Sequence, residues 1–230
     1  MNFNDREKIV GLTPLWRGER LPDGRPKVED KYLDALYGMT LEEVWKPIFV
    51  LGYEHQFVGG GENPLNTLHD DGRKLVGRAV TCTYCPTRPD LHEVQFARGA
   101  EDGLQGNYNQ WVIDHLYERD VVVCDMYDKI YKGTFLGGNL TTALHNRTKT
   151  GGAVIWGGIR DVEQMKKVPD VQVYYRGIDP TPIREFVMKD WNDITNFGGA
   201  VCLPGDIVFG AGGGVLAGLW FKKVSARFLH

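Results

Sequence analysis

Long apolar runs are missing from this chain of 230 residues. Nothing in it approaches the roughly 20 consecutive apolar residues of a membrane-spanning helix. The opening MNFNDREKIV also lacks the apolar core of a signal peptide. A soluble, cytoplasmic protein with no membrane partner is the expectation. A charge excess of either sign is missing as well, with 27 Lys and Arg against 30 Asp and Glu. Binding through phosphate neutralisation therefore has little to work with, and no nucleic-acid partner is expected. Cysteine is scarce: the four present make no disulfide framework at this length. Cys82 and Cys85 form a C-x-x-C, but on a strand their thiols face opposite ways, and Cys124 and Cys202 are isolated. Buried or half-buried thiols, rather than a zinc or redox centre, are the reading.

What is there is enough apolar material for a core: 42% of residues are hydrophobic and 11% aromatic, which argues against disorder. WRGERLPDGRPKVED (Trp16 to Asp30) reads as a polar surface loop. KYLDALYGMTLEEVWKPI then has apolar residues at helical spacing, with Thr40 and Glu43 spaced as a capping box. KLVGRAVTCTYC, RDVVVCDMYD, AVIWGG, VQVYYRG and VCLPGDIVFG read as strands, and NQWVIDHLYE and TTALHNRTKT as helices. Strands alternating with helices indicate an α/β fold, with further β-strands near the C-terminus. The segment from Arg88 to Gly103, with Arg88, His92, Glu93 and Arg98, reads as a solvated loop.

Glycine carries the local signals. GAGGGVLA ends too close to the C-terminus to open a dinucleotide-binding unit, so it reads as a tight turn between strands. Gly59-Gly60-Gly61, followed by Glu62, lacks the ending of a phosphate-binding P-loop. Gly137-Gly138 differs, because it precedes a helix whose first N–H groups form a cradle for a carboxylate or phosphate. Twenty residues separate Asn139 from Arg160-Asp161, which closes the next strand's apolar run. A strand–helix–strand unit of that size returns both ends to one edge of a sheet. Backbone amides, a guanidinium and a carboxylate then converge.

In this context VVVCD, LGGNLTTALHNRTKT and AVIWGGIRD resemble the family of the regulator of ribonuclease activity A and the 4-hydroxy-4-methyl-2-oxoglutarate/4-carboxy-4-hydroxy-2-oxoadipate aldolases, the RraA-like family. LVGRAVT, YNQWVIDHL (with Asn109) and LPGDIVFG resemble further family segments, so the similarity runs from about Leu75 to Leu219. The resemblance implies a swivelling β/β/α-type domain with a mixed central sheet and extra C-terminal strands. It divides the chain into an N-terminal extension (1–32) and an RraA-like domain (33–230), assembled as a homo-trimer or hexamer. It implies a lyase dependent on Mg²⁺ or Mn²⁺, with Asp161 as the metal ligand and Arg160 stabilising an enolate. Gly137, Gly138, Asn139, Leu140 and Arg160 then bind a small carboxylate substrate.

The chemistry of these side chains is compatible with that role. A hard divalent ion prefers a carboxylate oxygen, and a permanently charged planar guanidinium suits an oxyanion. The family motif carries an acidic residue where this chain has Asn139, whose amide orients a water but is no base. Gly212-Gly213-Gly214 stands where family members commonly have Asp-Gly. Asp125 and Asp128, at the end of the strand just upstream, are the candidates to supply a replacement carboxylate. The alternative function is a non-catalytic regulator that binds a protein partner.

Overall fold

The computed structural model describes residues 3–61 and 63–218. Glu62 and residues 219–230, which include the end of the expected domain, lie outside the described residues. Three helices open the chain: α1 (Arg6–Leu12), α2 (Asp30–Leu36) and α3 (Leu41–Val50). The capping box at α3 forms, with the Thr40 N–H donating to the Glu43 carboxylate at 2.7 Å and the Glu43 N–H donating to the Thr40 hydroxyl.

Short strands β1 (Phe57–Gly59) and β2 (Asn66–Thr67) precede the long β3 (Leu75–Pro86). Then follow α4 (Pro89–Glu101), α5 (Tyr108–Asp114), β4 (Asp120–Asp125), β5 (Thr134–Leu136), α6 (Gly138–Thr148), β6 (Gly152–Ile159), α7 (Val162–Met165) and β7 (Gln172–Ile178). The remainder is β: β8 (Phe186–Trp191), β9 (Thr195–Phe197), β10 (Ala200–Cys202), β11 (Ile207–Ala211) and β12 (Gly214–Ala217).

Ten strands form one mixed sheet along the path β1-β12-β11-β3-β4-β6-β7-β2, with β5 beside β6 and β8 beside β3. Its centre, β3-β4-β6-β7, is parallel, while β11, β12 and β8 join antiparallel. Strand β4 is buried on both faces, as expected for a central parallel strand written VVV. On one face Val122, Cys124 and Ile155 pack with Trp111 and Val112 of α5 and Leu144 of α6. On the other, Val121, Val123 and Val154 meet Phe197, Ala200 and Cys202 of the β9–β10 hairpin. A third cluster joins Leu33, Leu36, Val44 and Ile48 of α2 and α3 to Phe209 and Leu216. The fold is thus α/β with a mixed central sheet and additional C-terminal strands. The glycine turn at Gly212-Gly213 links β11 to β12, and Pro204-Gly205 links β10 to β11.

Two expectations are corrected. Trp16 to Asp30 is not simply a surface loop, because Arg25 is fully buried and donates two hydrogen bonds to the Asp120 carboxylate, at 2.9 and 2.7 Å. The Arg88–Gly103 segment is not a solvated loop but contains α4, entered through Pro89 in the first turn. Buried Gly99 lies against the Trp111 ring, which leaves no room for a larger side chain there. Within this segment His92 pairs with the Tyr108 hydroxyl at 3.1 Å and Arg88 with Asp90 at 2.5 Å. The four cysteines are free, three of them buried and Cys85 half-buried. No described helix is long and apolar enough to cross a membrane.

Candidate active site

Strands β5 and β6 run parallel and end together, with Leu136 in register with Ile159. The next residues on each strand are Gly137 and Arg160, tied by the Arg160 N–H donating to the Leu136 carbonyl at 2.9 Å. One pairing therefore brings the glycine turn and the Arg-Asp pair, distant in sequence, to the same sheet edge. Asn109 of α5, buried, fixes the approach to the turn by donating to the Phe135 carbonyl at 2.8 Å.

The glycines are required by what lies against them. A Cβ on Gly137 would sit 2.6 Å from Asp161 Oδ2 and 2.9 Å from Arg160 Cγ. Gly138, the first residue of α6, meets the Gln164 side chain in the same way. Its N–H donates to Asp161 Oδ2 at 3.3 Å, and Arg160 Nε stands 3.5 Å from the same oxygen. The Asp161 carboxylate thus caps α6, a favourable place for negative charge, while its other oxygen has no protein partner among the described residues. Asp161 itself is left-handed, at φ 55° and ψ 36°, where it opens α7. Non-glycine residues in that region carry strain of about 1–3 kcal/mol and cluster at functional sites, although aspartate tolerates it better than most.

The predicted residues divide by position. Gly137, Gly138, Arg160 and Asp161 come together. Asn139 is exposed on the first turn of α6 and makes no hydrogen bond to a described residue, and Leu140 packs half-buried against the core. The two substitute carboxylates do not join the cluster. Asp125 alternates with Val121 and Val123, so it shares the face opposite α6. Burial pushes its carboxyl pKa up, against the Tyr127 N–H and Lys189. Asp128 is held by Arg176 at 2.6 Å, and Arg176 stacks on Trp156.

Thr134 was not foreseen. Fully buried at the start of β5, it accepts a hydrogen bond from Arg160 Nη1 at 3.0 Å and donates to the Thr181 carbonyl at 2.6 Å. A lone threonine in KGTFLGG carries no sequence signal of that contact, which depends on the loop after β7. A cleft of about 620 Å³ lies elsewhere, lined by Tyr37, Arg73, Lys74, Thr150 and Asp170. Its cations are already engaged, Arg73 by Asp71 and Lys74 by the Tyr37 and Met39 carbonyls.

Among the described residues no three His, Cys, Asp or Glu side chains gather as a metal site. The donor set present is a single carboxylate with a free oxygen, beside a helix N-terminus. That fits Mg²⁺, which keeps several waters and is bound through one or two carboxylates plus substrate.

The protein is thus of the α/β class, with a mixed sheet whose parallel centre ends in a glycine turn and an Arg-Asp pair. The family model RraA-like, described as Aldolase/RraA, matches residues 51–217, and the chain belongs to that family. The chain is similar to Streptomyces coelicolor RraAS2, described as an unusual member of the RNase ES inhibitor RraA protein family. Identity there is 22%, with 88% of this chain and 89% of that one covered and a TM-score of 0.68. A structure from Geobacillus kaustophilus HTA426 described as an S-adenosylmethionine:2-dimethylmenaquinone methyltransferase is 18% identical, covering 77% and 97%, with a TM-score of 0.53. The RNA-processing inhibitor RraA from Thermus thermophilis is 16% identical, covering 86% and 98%, with a TM-score of 0.50. At these identities the likeness concerns the fold. A search of curated proteins returned no match.

Proposed function

We propose that the protein is a divalent-metal-dependent lyase acting on a small 2-oxo or hydroxy acid by retro-aldol cleavage, decarboxylation or dehydration. The observation that carries this reading is the convergence of Arg160 and Asp161 on the amide end of α6 at an accessible sheet edge. Family membership, in a family described as Aldolase/RraA, supports it. Asp161 would hold Mg²⁺ or Mn²⁺, which when bound supplies Lewis acidity at the keto oxygen. The Asn139 and Leu140 amides, at the positive end of α6 and next to the Gly138 N–H that Asp161 occupies, bind the substrate carboxylate.

Arg160 stabilises the negative charge that develops on the substrate oxygen as the carbon–carbon bond breaks. The Asn139 carboxamide orients a water that accepts the departing proton, since an amide cannot accept it itself. Assembly as a trimer or hexamer belongs to the same reading. The apolar Tyr127 and Tyr131, in the β4–β5 loop, and Ile178, the last residue of β7, are exposed at this end of the sheet, where a neighbouring subunit would cover them.

A second reading, a non-catalytic regulator of a protein partner, draws support from Asn139 standing exposed where a carboxylate would serve catalysis. Pyruvate release from a panel of 2-oxo acids, with and without Mg²⁺, separates the two. In the lyase reading Asp161→Ala abolishes metal binding measured by calorimetry, with the circular dichroism unchanged. Arg160→Lys keeps metal affinity but loses about 10²–10³ in turnover, the usual cost of one oxyanion contact. Normal turnover in the lysine variant, with metal still bound by Asp161→Ala, would make the pair structural.

A further inference from the structure

We infer that Thr134 is a positioning residue that sets the orientation of the Arg160 guanidinium, an inference that rests on the proposed role of Arg160. Arginine has five N–H donors and no acceptor, so a hydroxyl neighbour orients it only by accepting a hydrogen bond. A threonine hydroxyl both donates and accepts, and which it does here depends on its second partner. The Thr181 carbonyl accepts only, at 2.6 Å, so the hydroxyl proton points there. The oxygen is left facing Arg160 Nη1 at 3.0 Å.

The carbonyl is itself held in place. The Thr181 N–H donates to Asp179 Oδ1 at 2.9 Å, the Thr181 hydroxyl bonds to the same oxygen, and the Asp179 N–H donates to the Ile159 carbonyl at 3.1 Å. Thr134 also bridges to Pro182, which ties the loop after β7 to the start of β5. The relay Asp179–Thr181–Thr134 thus ends on one nitrogen of Arg160. Nε is on the Asp161 side, 3.5 Å from Oδ2, so the hydrogen bond to Thr134 fixes one end of the fork and a longer ion pair draws the other towards Asp161. A guanidinium fixed in this way presents its remaining donors in one plane to a bidentate oxyanion, without an ordering cost on binding.

Thr134 is fully buried, so it does not touch the ligand, and its effect passes entirely through Arg160. Two measurements on the full-length protein test this. First, ¹⁵N spectra of the arginine side chains identify the Arg160 signals by their disappearance in Arg160→Lys. In the wild type the Arg160 Nη groups show restricted rotation, which Thr134→Val releases and Thr134→Ser keeps. Second, calorimetry with oxalate in the presence of Mg²⁺ gives a binding constant about tenfold weaker for Thr134→Val, the scale of one lost hydrogen bond. Thr134→Ser stays near wild type, and affinity for Mg²⁺ alone is unchanged in both. If the valine variant folds poorly, Thr134→Ala against Thr134→Ser makes the same comparison.

Free rotation of Arg160 in the wild type, or unchanged rotation in the hydroxyl-less variants, would overturn the inference. So would oxalate binding in those variants equal to wild type. A wild type that binds no oxalate refutes the metal-dependent reading of the site instead, and the spectra still decide the role of Thr134.

Discussion

Asp125 ends strand β4 with its carboxyl half-buried, and burial raises its pKa. An acid whose pKa is higher folded than unfolded opposes folding once ionised. Its contribution is neutral below the unfolded value, about 3.9, and becomes unfavourable as pH rises through the folded value. Asp125→Asn is therefore expected to stabilise the protein at neutral pH, since the amide oxygen still accepts the Tyr127 N–H. The gain is expected to vanish below about pH 4, where the unfolded carboxyl is protonated too. Urea unfolding midpoints of both proteins at pH 7 and pH 4 check this, and an equal difference at the two pH values would refute it. The contrast with Asp161 is one of position: both aspartates lie just beyond apolar runs, but Asp161 turns towards the amide end of α6 and Asp125 to the opposite face.

At the scale of elements, the N-terminal segment is anchored through one side chain. Arg25 bonds to Asp23 at 2.6 Å, to the Ala79 carbonyl at 3.1 Å and to Asp120 at the head of β4. Both carboxylates are buried, and their charge keeps the guanidinium protonated by raising its already high pKa. Arg25→Ala leaves two buried carboxylates without a counter-charge, so a loss of about 3–5 kcal/mol in unfolding free energy is expected. Replacing Asp120 with Asn in the same chain is expected to return part of that loss, because the uncompensated charge is the larger cost. Denaturant titration of the two variants measures both. An Arg25→Ala protein as stable as wild type would show that the segment is held by its apolar contacts alone, such as Val28 against the third cluster.

The whole molecule leaves several large apolar side chains in water, three of them at the site end of the sheet. Tyr127, Tyr131 and Ile178 are each more than half exposed, at 63%, 64% and 58%. Contiguous exposed apolar patches mark interaction surfaces on proteins, and these three residues share the end of the sheet where β4 and β7 finish. A closed homo-oligomer with this edge at the subunit contact is expected, as a trimer or hexamer. Light scattering at micromolar concentration checks it, and a clean monomer near the chain mass of 25.9 kDa would refute it.

Much of this protein could be read from its sequence, for reasons that are local. The parallel core announced itself in VVVCD and AVIW because strands buried on both faces need continuous β-branched and apolar residues. The cap at Thr40 and the turns at Gly205 and Gly212 follow from backbone rules that span only a few residues. The meeting of Gly137 with Arg160 was legible because a strand–helix–strand unit has few ways to close. Arg25 reads as loop material, and Arg88–Gly103 as a solvated loop, because burial of a charge or a weakly apolar helix depends on distant partners, Asp120 and Trp111. The face of Asp125 and the acceptor role of Thr134 were likewise decided only in three dimensions. Sheet register assigns the first, and a carbonyl 47 residues further along the chain assigns the second.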